Sequence, residues 1–93
     1  MTISTKQAVQ KILRNQNMLY IEWDDSLGVE GNPWVEIDDL PENTLCVSCG
    51  FVVKETGLIL MIAGHKASTG QFSGVMTIPK SAIRKRRIIR VKR

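Results

Sequence analysis

The chain has 93 residues, 43% of them hydrophobic and 24% charged, with a formal net charge of +4. That length predicts one domain over residues 1–93 with a modest core, and an ordinary apolar fraction excludes low-complexity disorder. No apolar run approaches the ~18 residues of a membrane-spanning helix, and two cysteines three apart are no disulfide framework. The polar opening segment (Thr2, Ser4, Thr5, Lys6, Gln7) lacks the apolar stretch of a signal peptide, so a cytoplasmic protein without a membrane partner is expected.

Residues 5–14 read as a short helix. Ser4 can cap it, with Gln7 three residues on completing a capping box. Ala8, Val9, Ile12 and Leu13 recur at helical spacing on one face. Met18 to Trp23 reads as a strand, broken by Asp24, Asp25, Ser26 and Gly28. Gly31-Asn32-Pro33 signals a turn, and Trp34-Val35-Glu36-Ile37 suits a short edge strand.

The clearest strand signal covers residues 44–54. Leu45, Val47, Cys49, Phe51 and Val53 alternate, which predicts that this face is buried. Gly50 lies on the other face, where an interior glycine marks a bend or a close backbone approach. Glu55-Thr56-Gly57 is a hairpin signal, and Leu58 to Ala63 is apolar enough to be covered on both faces. Residues 64–73 read as a polar loop and Gly74 to Ile78 as a fourth strand. Pro79 stops it, Lys80-Ser81-Ala82-Ile83 suits one 3₁₀ turn, and Arg87 to Lys92 reads as a last strand burying Ile89 and Val91. The order predicts a mainly β fold, a small strongly bent five-stranded barrel behind a short N-terminal α-helix.

Two stretches resemble the Sm-like family (Sm, LSm and Hfq proteins). Gly50 to Met61 is similar to the glycine-bent second strand, turn and apolar third strand of Hfq. Val75 to Ile83 is similar to its fourth strand and 3₁₀ turn, with Lys80 matching the family's lysine and Ser81 standing where Hfq has histidine. The Ile-Arg-Gly signature of eukaryotic Sm proteins is absent, since Pro79 follows Ile78. The resemblance spans about residues 44–92 and implies an Sm-like/SH3-like barrel, a homo-oligomer, and RNA as ligand. Trp34, Asp38-Asp39-Leu40, Gly50-Phe51-Val52 and Ile78 to Ile83 also resemble small uncharacterised bacteriophage-encoded proteins, which implies an origin and no activity.

Charge is segregated along the chain. Residues 22–42 hold eight of the nine acids and no Lys or Arg; residues 80–93 hold Lys80, Arg84, Lys85, Arg86, Arg87, Arg90, Lys92 and Arg93 and no acid. Such a basic tail suits phosphate or an acidic surface, so these eight residues are the candidate nucleic-acid contacts. Three readings stay open for it: a charged edge strand that prevents aggregation, a nucleic-acid contact, and a protein contact. Trp23 and Trp34 flank the acidic block, where phosphate would be repelled; with Asp38, Asp39 and Glu42 they are the candidate partner surface, including a contact with the basic tail of a second copy.

Other chemistry is poorly supported. Cys46 and Cys49 fall in the alternating strand, so they face opposite ways and suit neither a metal nor a redox pair. His65 has no nucleophile arranged around it. Asp24 to Glu30 lacks calcium-loop spacing, and Gly64, Gly70 and Gly74 lack nucleotide-loop spacing. The chain is therefore read as a non-enzymatic binding module without cofactor or metal.

Overall fold

The computed structural model describes residues 3–14, 16–25 and 44–92. The expected turn at Gly31 and edge strand at Trp34 lie outside the described residues. Helix α1 spans Thr5–Leu13. The strands are β1 (Met18–Asp25), β2 (Thr44–Glu55), β3 (Ile59–Lys66), β4 (Phe72–Pro79) and β5 (Ile83–Ile89), with a 3₁₀ turn at Lys80–Ala82. All are antiparallel in one open sheet of order β4-β3-β2-β1-β5. The fold is thus mainly β with one short helix, and β4 and β5 are its two edges.

Helix α1 begins at the expected capping box: Ser4 Oγ accepts from the Gln7 amide at 3.1 Å, and Gln7 Oε1 from the Ser4 amide at 2.9 Å. Two of the otherwise orphaned first-turn donors are thereby satisfied. None of its residues is buried. The link into the sheet is made by polar groups. The Asn17 carbonyl accepts from the Val52 amide at 2.9 Å. Gln16 Nε2 donates to the carbonyls of Asn17 and Val52, while its Oε1 accepts from Lys66 Nζ.

The core is carried by Leu19, Ile21 and Trp23 of β1, Leu60 and Ile62 of β3, and Ile78 of β4, with Cys46, Val52 and Ile83 packed against them. This reverses the expectation for β2. Leu45 and Val47 are each 58% exposed and Cys49 is exposed. Pairing decides the matter. Cys46, Ser48 and Gly50 lie opposite Trp23, Ile21 and Leu19, while Leu45, Val47, Cys49 and Phe51 lie opposite Asp24, Glu22, Tyr20 and Met18. The bulky face of β1 takes the core, and β2 meets it with its small residues. In a sheet one face commits all alternate residues together.

β2 also bends where expected. A Cβ on Gly50 would lie 2.7 Å from the Ala63 carbonyl oxygen, and the β2–β3 register shifts between Val52 and Lys54. Beyond the shift, the β2–β3 hairpin is closed by Thr56, whose Oγ1 accepts from the amides of Leu58 and Ile59. Leu58 sits on this hairpin and is 81% exposed, so the β3 run is covered only from Ile59 onward. β3 continues through His65 and Lys66, which shortens the expected loop to residues 67–71.

The last strand starts four residues earlier than expected, directly after the 3₁₀ turn. It pairs with β1 from Ile83–Trp23 to Ile89–Met18. Ile88, Ile89 and Val91 are all exposed, so the expected burial of Ile89 and Val91 is not found. An edge strand has solvent on one flank, and here no described element covers it.

Candidate nucleic-acid interface

The turn after β4 carries the chain from one edge of the sheet to the other, so β5 lays its bases beside β1. Alternation then sorts them. Lys85 and Arg87 lie opposite Glu22 and Tyr20, on the face away from the core; Arg86 lies opposite Ile21 on the other face, and Arg84 is the extra residue at a register shift.

Three of the bases near the turn are paired with two acids. Arg86 donates two hydrogen bonds to Glu55, at 2.9 and 3.1 Å. Lys80 Nζ lies 2.7 Å from Glu55 as well and donates to the Thr56 carbonyl at 3.0 Å. Arg84 pairs with Asp24. The Arg86 hydrogen bonds, then that of Lys80, hold the Glu55 carboxyl down at about 2. Glu55 in turn raises the Arg86 guanidinium.

Lys85, Arg87, Arg90 and Lys92 have no ion-pair partner among the described residues, and all four are exposed. Arg93 lies outside the described residues. The unpaired charge therefore runs from Lys85 in β5 to Lys92 just beyond it. Tyr20 stands beside Arg87, donating its hydroxyl to Glu22 at 2.7 Å; this bond to a carboxylate raises the phenol above its ordinary value.

Of the candidate partner surface, Trp34, Asp38, Asp39 and Glu42 lie outside the described residues. Trp23 is in the core at 9% exposure, its Nε1 donating to Ser48 Oγ at 3.0 Å. A polar handle anchored inside explains how the indole is buried on β1.

Cys46 packs against the core and Cys49 faces out, both as free thiols. His65 lies exposed on β3 opposite Ser73. Among the described residues no three His, Cys, Asp or Glu side chains gather as metal ligands. No described helix is long and apolar enough to cross a membrane.

Two features escaped the sequence reading. Glu55 is the lone acid after residue 42, and that isolation amid bases was a usable signal. The second is the junction of α1 with the end of β5, where Asn17 and Arg90 share a groove; no local pattern connects residues so far apart. Comparison with protein-family models, curated proteins and solved structures gave no match for this chain.

Proposed function

We propose that this chain is a non-enzymatic, oligomeric binding module that contacts RNA or single-stranded nucleic acid through β5 from Lys85 onward and the residues after it. The observation that carries the reading is the contrast among the bases: Lys80, Arg84 and Arg86 are ion-paired, whereas Lys85, Arg87, Arg90 and Lys92 have no acidic partner among the described residues. Exposed cations on an edge strand and just past its end suit a phosphate chain. A strongly bent Sm-like/SH3-like barrel is part of the proposal. It is supported by the close approach at Gly50, the register shift in β2 and the reach of Arg86 to Glu55.

The test is fluorescence anisotropy of labelled single-stranded RNA and DNA against salt. Four phosphate contacts would give log K a slope of about −3 in log salt. Replacing Arg87, Arg90 and Lys92 with Gln should weaken binding for every sequence, and Arg84→Gln should do so far less. No binding of either nucleic acid at low salt would overturn the proposal.

A second reading, a bacteriophage-type assembly module, is favoured by the two unpaired edges, which expose Val75 and Met76 on β4 and Ile88 on β5. Its subunit contact would join the acidic block around Asp38, Asp39 and Glu42 to the basic tail. Sedimentation at high micromolar concentration tests it, since a monomer near 10.4 kDa would remove both assembly and the oligomeric part of the first reading.

A further inference from the structure

The two open edges of the sheet differ in charge. β5 carries Arg84, Lys85, Arg86 and Arg87 in succession, whereas no residue of β4 is ionisable. Consecutive bases keep an edge from pairing with its own kind, because like charges would stand opposite each other. β4 has no such guard, and Val75 and Met76 on it are 50% and 42% exposed.

β4 is also complementary to itself. Met76 and Ile78 lie opposite Ile62 and Leu60 on the core face; Val75 and Thr77 alternate with them on the other face. A second β4, laid antiparallel about a twofold axis through Val75, sets Val75 against its own copy. Thr77 then meets Ser73, a pair of hydroxyls that can hydrogen-bond across strands. On the core face Ile78 meets Phe72, and Met76 meets Gly74. Gly64 and Gly74 lie side by side, between the pairs Ala63–Val75 and His65–Ser73. Both are exposed, and a Cβ on Gly64 would have nothing within 4 Å. That bare backbone leaves room for the Met76 side chain of a second copy. Moving the axis to Met76 would instead bring Pro79, which has no N–H, into the ladder opposite Ser73.

We infer that β4 docks on β4 of a second copy, antiparallel and in this register, joining two sheets across a twofold axis. The inference rests on the oligomeric part of the reading above and names its surface. Such a contact is isologous and closes at two copies. Pairing β4 with β5 of another copy would be heterologous, building rings or filaments, and would occupy the edge that carries Lys85 and Arg87. The β4 dimer leaves both β5 strands open.

The experiment begins with sedimentation of the full chain at high micromolar concentration, which should give a mass near twice 10.4 kDa. Val75→Cys is then made in a Cys46→Ser, Cys49→Ser background that sediments like the parent. Diamide should cross-link it between chains, since directly opposed residues have Cβ atoms about 4.5–5.5 Å apart. Thr77→Cys in the same background should not cross-link, because the two copies of that residue stand roughly 13 Å apart along the strands. Val75→Glu sets like charges opposite each other and should yield a monomer with the parent's circular dichroism. A dimer that persists in Val75→Glu, or that cross-links through Thr77→Cys and not through Val75→Cys, would overturn the β4 contact. An assembly of more than two copies would overturn it and leave the oligomeric reading standing. A monomer would overturn both.

Discussion

Arg86 and Glu55 meet through two hydrogen bonds, at 2.9 and 3.1 Å, although β1 separates their strands in the sheet. The contact is possible because β2 turns away from β1 after Phe51, the last β2 residue of their pairing, and carries its far end toward β5. One carboxylate thereby ties the β2–β3 hairpin, the 3₁₀ turn and the last strand together, since Lys80 joins it.

That cluster gives a pH signature. Glu55 has a folded value of about 2 against an ordinary 4.5, through the hydrogen bonds of Arg86 and Lys80. A carboxyl depressed on folding adds stability that is complete above 4.5 and is lost as pH falls toward 2. The group is partly solvated, so the contribution is about 1 kcal/mol at most. Urea midpoints of wild type and Glu55→Gln should differ at pH 7 and converge between pH 4.5 and 2. A constant difference across that window would remove the cluster as its source.

Gly50→Ala should destabilise by about 1–3 kcal/mol, the usual cost of forcing atoms into a filled site. The new Cβ would meet the Ala63 carbonyl oxygen at 2.7 Å, and that atom belongs to the paired backbone of β3. Thermal denaturation reads the effect. An unchanged midpoint would mean that β2 and β3 stand further apart than described.

The two faces of β2 predict opposite tolerance. Leu45→Ala and Val47→Ala remove groups that are each 58% exposed and should change stability by no more than about 0.5 kcal/mol. Leu60→Ala empties a fully buried position and should cost about 2–5 kcal/mol. Chemical denaturation of the three variants compares them directly. Comparable losses for Val47→Ala and Leu60→Ala would show the outer face of β2 to be covered.

Trp23→Phe removes the indole donor and leaves Ser48 Oγ without it. The expected loss is about 1–2 kcal/mol from the bond and the lost volume. Tryptophan fluorescence of Trp34→Phe, which keeps Trp23, should be blue-shifted in the native state and move red on unfolding. A red-shifted native emission would place Trp23 outside the core.

The positions of most elements were legible from local signals. The Ser4 box starts α1, alternation marks β1 and β2, and Pro79 with Lys80 marks the 3₁₀ turn. What no local signal holds is which face of a strand is buried. Leu45, Val47 and Cys49 form as good an apolar stripe as Leu19, Ile21 and Trp23, and the outcome depends on pairing between strands far apart in sequence. β5 was misplaced for a related reason. Arg84 to Arg87 look unlike a strand, yet at a sheet edge long charged side chains reach water or a partner. The basic character of the candidate site was visible in the sequence. Its division into paired and unpaired bases was not, because Asp24 and Glu55 enter only through tertiary contacts.

The absence of any buried residue in α1 has a dynamic consequence. A helix of nine residues is too short to persist on its own in water, and this one is held by its cap and by the hydrogen bonds of the segment that follows it. Its amides should therefore exchange with solvent through local opening, at free energies well below those of β1 and β3, whose buried ladders open only with the whole domain. The molecule then has two tiers of protection, a sheet that survives and a helix that melts and re-forms upon it. The Asn17–Val52 bond stands at the boundary between them.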